Sequence, residues 1–383
     1  MRPITQEKID RLLAFMKDEH LDAILLADWE NARDVNMRYL SGHPMDASLV
    51  FKADGETCLI PWDLQLAEDH AEVDEVIDPN NFQRQWVAAA VQYLKDNLSK
   101  ESPLIAMNSG IPYKYVLETQ QRYPEAKIYN EPDNLYNKFS ELRATKSPQE
   151  LDYLLEAGKI GNKTLKDIRQ FAEEQRKEGT ENDLSFLVQK KLKEYGAEDN
   201  SFPSLVANVT RSYQIHCHPM AGNNQFGKEG LALIDFGALY HGYASDITVP
   251  FTFGELTSEQ EKIKETTIKA YNTAIEAIDV GVPLWKISQT AVDVIEAAGY
   301  NLPHSLGHGL GLTVHDAPSV RQKPTDEIAL QKWTERVVEE GMVFTIEPGV
   351  YIKGQGGLRL ENDVMIRNGK VEVYTNSELF EIP

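Results

Sequence analysis

The sequence predicts two domains: an α/β domain, followed by a larger α+β domain in which a helix–helix–sheet order occurs twice. The chain has 383 residues, which is more than one ordinary hydrophobic core accommodates. Apolar runs of strand length alternate with amphipathic runs through the first third, as is typical of an α/β layout. Beyond it, two helical segments precede glycine-bearing β sequence, and the same order recurs up to the C terminus. We place the domains at residues 1–138 and 139–383.

Local patterns predict each element of the N-terminal domain. Apolar residues at helical spacing predict a helix, and a short apolar run between turn signals predicts a strand. Asp54-Gly55 predicts the turn of a hairpin, because this dipeptide accepts the positive φ angles of a tight turn. The predicted elements, in order, are the helix KIDRLLAFMKDEH, the strand DAILLAD, the hairpin SLVFKADGETCLIPW, the helix FQRQWVAAAVQYLKDNL, the strand PLIAMN, the helix YKYVLETQQRYP and the interdomain link YNEPDNLYNKF.

The C-terminal domain begins with helices that carry capping signals. Ser147 can cap a helix that has Pro148 in its first position and Glu150 as the second half of a capping box. Thr180 and Asp183 form a similar box before the next helix. The second pair of predicted helices spans residues 257–279 and 283–298.

Composition restricts the possible partners and the cellular location. The formal net charge of −21 at pH 7 repels phosphate backbones and anionic lipids, so neither nucleic acid nor a membrane is expected as a partner. The N terminus lacks the apolar core of a signal peptide, and no run approaches the roughly 18 apolar residues that span a bilayer. Cys58 and Cys217 are the only cysteines, which indicates a reducing cytoplasm and no disulfide framework.

Two aspartates lie in neighbouring apolar runs of LALIDFGALYHGYASDITV. Asp235 ends one run, and Asp246 lies in the next. If the glycine-containing middle makes a turn, the two runs pair as strands and both carboxylates can face one side. A buried aspartate is costly unless it is paired or binds a metal ion. One aspartate that caps a turn and another that is solvated would give the same pattern, so this segment alone leaves both interpretations open.

Two glutamates and a histidine complete a candidate set of metal ligands. Glu347 follows a strand-like run, and Glu361 lies in the alternating run GGLRLENDVMI. Each glutamate alone would also fit an exposed strand face. The complete set of candidate ligands is Asp235, Asp246, His308, Glu347 and Glu361. Four carboxylates in one buried cleft need compensating charge, which two divalent cations supply.

The composition of this set indicates the metal and the chemistry. Oxygen ligands with a single imidazole suit manganese, cobalt or iron better than a structural zinc site. We expect manganese, with cobalt, zinc or iron as alternatives. Two such ions can hold a bridging hydroxide as nucleophile and polarise a carbonyl, so hydrolysis of an amide is the reaction most directly served.

The glycine-rich stretch HSLGHGLGLTVHD carries three histidines, His304, His308 and His315. Glycine is unfavourable in both helices and strands, so its enrichment needs a reason. Either the glycines let the backbone approach ligands of the histidines, or the stretch is a loop with incidental histidines. A nucleotide-binding loop is not supported, because Leu312 occupies the last glycine position of G-x-G-x-x-G.

Four motifs resemble, in the same order, those of the pita-bread metallopeptidases, the family of Xaa-Pro aminopeptidase, prolidase and methionine aminopeptidase. The motifs are IDFGALYHGYASDIT, HSLGHGLGLTVHD, TIEPGVY and LRLEND. The resemblance extends from about Arg143 to the end of the sequence. By layout and position, the first domain is similar to the creatinase-like N-terminal domain of the family, which argues against methionine aminopeptidase.

The resemblance implies a role for each matching residue. The five candidate ligands match the metal ligands of the family, with Asp246 and Glu361 bridging two ions. Glu347 would also move the proton of the attacking water, since such sites need a base within hydrogen-bond reach. The remaining matches are His218 and His304 in contact with substrate, His315 as a donor to the tetrahedral intermediate, and Arg359 as the residue that orients the metal carboxylates.

Some positions depart from the family pattern. Val249 stands where an arginine is common, so any contact of that arginine is missing or supplied elsewhere. Asp316 follows His315 where a glutamate is usual. Prolidases commonly carry an arginine soon after this point, which holds the carboxylate of a dipeptide, and Arg321 is its displaced candidate here. His216 has no family counterpart, and we expect it to be solvated or hydrogen-bonded.

The resemblance implies a dinuclear metallopeptidase that hydrolyses the bond between an N-terminal residue and proline. The compact first domain and Arg321 favour a prolidase-like Xaa-Pro dipeptidase. The alternative is an Xaa-Pro aminopeptidase (aminopeptidase P) that acts on longer peptides. A relative that has lost activity and binds a partner is a third hypothesis, although all five metal ligands are present. The resemblance also implies a homodimer.

Overall fold

The computed structural model describes residues 2–30, 32–331 and 333–383. The chain forms two compact units, Met1–Leu142 and Arg143–Pro383. The first unit is an α/β domain, and the second repeats a helix–helix–sheet order. The predicted fold class is therefore confirmed. Among the described residues, no helix is both long and apolar enough to cross a membrane.

One mixed sheet forms the centre of the first unit. The helices that begin in this unit are α1 (Gln6–Asp18), α2 (Val35–Ser41), α3 (Leu64–His70), α4 (Trp86–Asn97), α5 (Tyr113–Arg122) and α6 (Pro132–Ala144). The strands are β1 (Ala23–Asp28), β2 (Ala47–Lys52), β3 (Thr57–Pro61), β4 (Glu75–Val76), β5 (Leu104–Met107) and β6 (Lys127–Ile128). Their order is β4-β3-β2-β1-β5-β6. Only β2 runs against its neighbours, because it belongs to a hairpin.

The predicted hairpin of the first unit joins β2 to β3. The Lys52 N–H donates to the Glu56 carbonyl oxygen at 2.9 Å, and Gly55 between them has a φ of 91°. All residues of β1, β2 and β3 are buried, so the central strands are covered on both faces. The core includes Leu25, Val50, Ile60, Leu94 and Ile105.

The segment YNEPDNLYNKF, predicted to link the domains, mostly forms helix α6. Leu135, Phe139 and Leu142 recur at helical spacing and are at most 2% exposed. The Leu142 carbonyl oxygen accepts a hydrogen bond from the Tyr39 hydroxyl at 3.1 Å. The predicted link is thus mostly helical, and the division between the two units falls within this helix, after Leu142. The predicted division after residue 138 therefore falls inside a helix.

The described residues of the second unit form four sheets. Its helices are α7 (Pro148–Glu174), α8 (Glu181–Glu194), α9 (Ser258–Glu276), α10 (Leu284–Ala297) and α11 (Glu327–Gln331). Its strands are β7 (Asp199–Asn200), β8 (Leu205–Ala207), β9 (Gly230–Phe236), β10 (Ala238–Tyr240), β11 (Tyr243–Ala244), β12 (Ile247–Phe253), β13 (Gly307–Gly309), β14 (Asp316–Val320), β15 (Val343–Ile346), β16 (Gly349–Ile352), β17 (Gly356–Arg359), β18 (Asn362–Arg367), β19 (Lys370–Val373) and β20 (Phe380–Ile382). The two larger sheets have the orders β20-β12-β9-β8 and β14-β13-β15-β18-β19.

Each larger sheet packs with one helix pair. Residues of α7 and α8 share a hydrophobic core with β9 and β12, and residues of α9 and α10 share another with β15 and β18. The predicted capping boxes are present at Ser147 with Glu150 and at Thr180 with Asp183. These boxes explain why α7 and α8 begin where the sequence indicates.

Both cysteines are free and buried. Cys58 is 0% exposed and Cys217 is 2% exposed. Burial raises the pKa of the Cys58 thiol to about 12. Burial also raises the pKa of the Cys217 thiol, against the opposing charge of Arg211. Neither thiol is therefore in the exposed, electropositive setting of a reactive cysteine.

Candidate active site

A cavity of about 470 Å³ in the second unit collects most of the residues predicted for the site. The predicted residues in its wall are Asp235, Asp246, His304, His308, His315, Glu347, Arg359 and Glu361. The apolar part of the wall comprises Phe202, Pro203, Leu205, Ile215, Met220 and Val314. His218 and Arg321 are not lining residues. The five candidate metal ligands, which are scattered along the sequence, thus meet at one concave surface.

Strands β9 and β12 bring the two aspartates to one side of a sheet. The strands are antiparallel, with Asp235 opposite Thr248. Asp246 precedes Thr248 by two residues, so both side chains project from the same face. The chain reverses at His241 and Gly242, whose φ angles are 48° and 81°. This is the glycine-containing turn on which the sequence argument depended.

His308 presents one ring nitrogen to the carboxylates. Its Nδ1 lies 3.2 Å from the Gly309 carbonyl oxygen, which can only accept, so Nδ1 carries the proton. Its Nε2 lies 3.5 Å from Asp246 Oδ2 and 3.5 Å from Glu347 Oε1. Burial, and then the charge of His315, lower the pKa of His308 to about 4. A neutral lone pair that faces carboxylate oxygens, on a ring fixed by a backbone carbonyl, has the geometry of a metal ligand.

The glycines beside His308 allow neighbouring strands to pack closely. A Cβ at Gly307 would lie 1.9 Å from the Thr345 carbonyl oxygen, and one at Gly309 would lie 2.1 Å from the backbone of Ala317. Both contacts are made with strands that pair with β13. The expectation that these glycines let the backbone approach a ligand is corrected here: strand backbones occupy the space that their side chains would need.

The acidic side chains and His308 form a possible metal-binding group. Donor atoms of Asp246, His308 and Glu361 lie within 4.8 Å of one another. Asp235 Oδ1, Asp246 Oδ1 and Glu361 Oε1 are buried and accept no hydrogen bond within the described part of the chain. Buried carboxylate oxygens without donors are costly. The donor set therefore fits a divalent cation, which would satisfy these oxygens.

Burial, and then the charges of neighbouring carboxylates, raise the pKa values of Asp246, Glu347 and Glu361. Burial, followed by the charges of Glu361 and Asp235, raises the pKa of Asp246 well above its ordinary value. Burial and the charge of Glu361 do the same to the pKa of Glu347. Burial and the charge of Asp235 raise the pKa of Glu361 to about 7. A bound cation would reverse this effect, because it stabilises the ionised form.

Arg359 lies beside this cluster and is 2% exposed. Its Nη2 donates to Asp235 Oδ2 at 2.6 Å, and its Nε donates to Thr248 Oγ1 at 2.9 Å. The Thr248 hydroxyl donates in turn to Glu361 Oε2 at 2.6 Å. Arg359 thus positions Asp235 directly and Glu361 through Thr248. The sequence analysis did not assign a role to Thr248, although the aspartate–strand motif contains it.

His304 lies at the cavity, but protein groups occupy both of its ring nitrogens. Nδ1 donates to the Ser305 carbonyl oxygen at 2.8 Å. Burial and the charge of Arg359 lower the pKa of His304 to about 4, so Nε2 accepts from the Tyr351 hydroxyl at 3.0 Å. Arg359 Nη1 donates to the same hydroxyl oxygen at 3.0 Å. His304 therefore positions Tyr351, a residue of TIEPGVY that the sequence analysis missed.

His216 lines the cavity and His218 lies outside the lining, although both histidines are exposed. The sequence analysis expected the opposite, because it placed the substrate histidine by counting back from Asp235. That interval includes the partly exposed segment 219–225, whose length can vary without disturbing the strands.

Two further expectations concern residues after the glycine-rich stretch. The His315 ring centroid lies 4.2 Å from that of His308, and burial lowers the pKa of His315. Arg321 is exposed, with its guanidinium carbon 5.4 Å from the ring centroid of Trp333. Arg321 does not line the cavity, so its role in holding a substrate carboxylate stays a prediction. Ser319 lines the cavity instead.

Two departures from the family pattern have structural explanations. Val249 is 0% exposed and belongs to the core shared with α7 and α8, on the opposite face of β12 from Thr248. Asp316 pairs with Arg143, whose Nη2 lies 3.0 Å from Asp316 Oδ1. The side chain of Asp316 is 1% exposed, so this aspartate belongs to a buried ion pair.

Glu181, the first residue of α8, anchors the loop that carries His216. Its side chain is 0% exposed. Oε1 accepts from the Asn208 N–H at 3.0 Å and lies 3.3 Å from Arg211 Nε. Oε2 accepts from the Gly222 N–H at 3.0 Å. One carboxylate thus ties together both ends of the loop. The sequence analysis used the neighbouring capping box and missed this second role.

Comparison with known proteins identifies the family. Residues 152–368 match metallopeptidase family M24, and residues 8–144 match the creatinase/prolidase N-terminal domain. The chain belongs to metallopeptidase family M24. The predicted family and the prediction of a peptidase are confirmed. Membership also implies the use of divalent metal ions, in agreement with the possible metal-binding group.

Similar proteins share the full length of the chain. A Xaa-Pro dipeptidase from Pyrococcus horikoshii is 28% identical over 382 residues, which cover 98% of each protein. A Xaa-Pro dipeptidase from Pyrococcus furiosus is 27% identical, over 97% of this chain and 99% of that protein. The crystal structure of the prolidase from Pyrococcus horikoshii OT3 has a TM-score of 0.81 and 26% identity, covering 98% of this chain and 99% of that chain.

Proposed function

We propose that this chain is an Xaa-Pro dipeptidase that uses two divalent cations, with Mn²⁺ as the native metal. The convergence of Asp235, Asp246, His308, Glu347 and Glu361 at one cavity, with carboxylate oxygens that lack donors, carries this proposal. Full-length similarity to the two Pyrococcus dipeptidases supports the substrate class. The apolar wall of the cavity offers a surface for a pyrrolidine ring.

The metal-binding residues and their neighbours would divide the work of hydrolysis. Divalent cations held by the five side chains would supply Lewis-acid activation of a water molecule and of the scissile carbonyl. Glu347 accepts the proton of the attacking water and returns it to the leaving amine, since its carboxylate lies at the same cavity as the other candidate ligands. His315, exposed at the cavity, donates a hydrogen bond to the carbonyl oxygen as negative charge develops.

An Xaa-Pro aminopeptidase is the second candidate, and the charges of the cavity favour it. Arg359 is the only lysine or arginine among the lining residues, and its nitrogens already donate to protein groups. Arg321 lies outside the lining. The described wall thus offers no unoccupied guanidinium or ammonium group to bind the C-terminal carboxylate of a dipeptide. A longer peptide carries its carboxylate farther from the scissile bond and does not need such a group.

A comparison of two substrate lengths tests the proposal. The Mn²⁺-loaded enzyme is assayed with an Xaa-Pro dipeptide and with the same pair extended by several residues. A higher kcat/KM for the dipeptide is expected. A preference for the extended peptide would establish the aminopeptidase instead. If metal analysis found two ions per chain but neither substrate were cleaved, the third hypothesis of a binding protein would replace both.

We further propose a cytoplasmic homodimer. The two free cysteines support a reducing compartment, and the family resemblance supports the dimer. Analytical ultracentrifugation of the metal-loaded chain should give twice the monomer mass of 43.3 kDa. A monomer at micromolar concentration would refute the dimer.

A further inference from the structure

The geometry points to a second ligand site, in the first unit, that binds an organic cation such as an ammonium or guanidinium group. A cavity of about 400 Å³ lies there, a size typical of small-molecule sites. It belongs to the first unit alone and shares no residue with the metal site. Family membership and the proposed peptidase function assign no role to it.

The cavity lies at the edge of the sheet where ligands of α/β domains bind. Ala27, Ser48 and Ile60 lie side by side on β1, β2 and β3 and line the cavity together. Asp28 and Pro61, at the carboxyl ends of β1 and β3, also line it. Crevices outside the carboxyl ends of strands are the usual binding positions in such sheets.

Ser48 supplies a polar group that the protein itself leaves unused. Its side chain lines the cavity, and the residue is 2% exposed. Its Oγ is buried and has no hydrogen-bond partner among the residues that the structure describes. A buried hydroxyl without a partner costs free energy, and a ligand group that reached this hydroxyl from the cavity would recover that cost.

Aromatic side chains form much of the remaining wall. Tyr115 packs edge-on against Trp29 and Trp86, with ring centroids 5.7 and 4.9 Å apart. Trp62 is 60% exposed, so packing does not account for its presence at the rim. The faces of such rings carry negative electrostatic potential and attract cations.

The charges near the cavity also favour a cation. Asp28 and Asp46 share Arg33, which lies 3.0 Å from Asp28 Oδ2 and 2.7 Å from Asp46 Oδ1. Two carboxylates thus share one guanidinium. Glu30 and Arg84, also in the wall, contribute one charge of each sign. One negative charge remains uncompensated, which excludes an anionic ligand as the preferred occupant.

Arg84 shows where a cation binds. Its guanidinium carbon lies 3.8 Å from the ring centroid of Trp62, and its Nη2 donates to the Trp62 carbonyl oxygen at 2.7 Å. Arg84 reaches this position from a backbone φ of 60°, which glycine adopts without strain. The protein's own guanidinium therefore occupies one cation position of the cavity and competes with a ligand for it.

Calorimetric titration of the metal-loaded, full-length chain tests this site. The probe is Nα-acetyl-L-arginine amide, and Nα-acetyl-L-citrulline amide is its neutral counterpart of similar shape. We expect saturable binding of one arginine amide per chain and at least roughly tenfold weaker binding of the citrulline amide. Equal affinity for both probes would overturn the inference, because charge would then contribute nothing.

Two exposed positions provide variants with opposite expected effects. Trp62→Ala should weaken binding about tenfold, since a cation–π contact is lost. Arg84→Gly should tighten binding several-fold, because it removes a competing cation and frees the face of Trp62. His315→Ala, at the metal site, is the control and should leave binding unchanged. The site would be refuted if Arg84→Gly bound the probe more weakly, if Trp62→Ala had no effect on binding, or if His315→Ala lost binding. Circular dichroism verifies that each variant folds.

Discussion

Two groups of buried carboxylates in the second unit differ in how their oxygens are satisfied. Glu181 and Glu361 are both almost completely buried, at 0% and 1% exposed. Both oxygens of Glu181 meet nitrogen donors of a single loop. Glu361 and its neighbour Asp246 each keep one oxygen that accepts no hydrogen bond in the described chain. Burial alone therefore does not distinguish these carboxylates, whereas the unsatisfied oxygens support Glu361 and Asp246 as candidate metal ligands.

The largest expected effect is at the metal cluster. Glu347→Gln removes the group that holds the proton, so turnover of an Xaa-Pro substrate should fall by about 10²- to 10⁴-fold. Turnover and bound metal are measured together, by steady-state kinetics and elemental analysis. Glu339→Gln, an exposed glutamate outside the cavity, is the matched control and should retain full activity. Unchanged turnover in Glu347→Gln would remove the assigned role of this residue.

Metal removal should reveal the repulsion within the cluster as a pH-dependent loss of stability. In the metal-free chain the pKa of Glu361 is raised to about 7 in the folded state, from an ordinary value of 4.5. The folded state then binds protons more tightly than the unfolded state. The contribution of Glu361 to stability is complete below about pH 4.5 and is lost as the pH rises through 7.

Thermal unfolding from pH 5 to pH 8 measures this difference. The metal-free chain should lose stability across this range relative to the metal-loaded chain. Adding Mn²⁺ at one hundred times its Kd should restore about 2.7 kcal/mol. Glu361→Gln should flatten the pH dependence of the metal-free chain. A metal-free chain whose relative stability rises with pH would contradict the clustered geometry.

Glu181→Gln tests the other side of the comparison. The substitution weakens charge-assisted hydrogen bonds to the loop, so the free energy of unfolding should fall by about 2 kcal/mol. The metal content should stay unchanged, because no metal ligand is touched. Urea denaturation and elemental analysis provide the two readouts, and Glu178→Gln, exposed and just before α8, is the control. Loss of metal without loss of stability would show that Glu181, like Glu361, contributes to metal binding and not to holding the loop.

The smallest expected effect concerns the loop that Glu181 holds. His216→Ala should lower kcat/KM by about tenfold, the equivalent of one lost hydrogen bond, since His216 lines the cavity. His218→Ala should leave kcat/KM almost unchanged, because His218 lies outside the lining. The reverse result would restore the assignment made from sequence spacing.

Much of the fold and of the metal cluster could be predicted because short-range signals determine them. The capping boxes at Ser147 and Thr180 set helix starts, and the turn at Gly242 lets the strands carrying Asp235 and Asp246 pair. The five candidate ligands lie within or directly beside strands, whose register is determined by their burial. These signals are local, so they remain visible without a structure.

Other features depended on contacts between distant parts of the chain. The place of His216 in the cavity wall and of Arg321 outside it could not be predicted, because loop lengths between motifs do not fix where a side chain points. The link to Tyr351 was missed because His304 meets it across 47 residues. The roles of the glycines were also misjudged, since the space around Gly307 is taken by a strand that the sequence does not place.

The inaccessible thiols give the folded chain a practical property. Cys58 and Cys217 are both buried, and their raised pKa values disfavour the thiolate that alkylating reagents attack. Maleimide dyes or spin labels should therefore react selectively with a cysteine engineered on the surface. A single label in each unit would then report the distance between the two units in solution, without prior removal of either native cysteine.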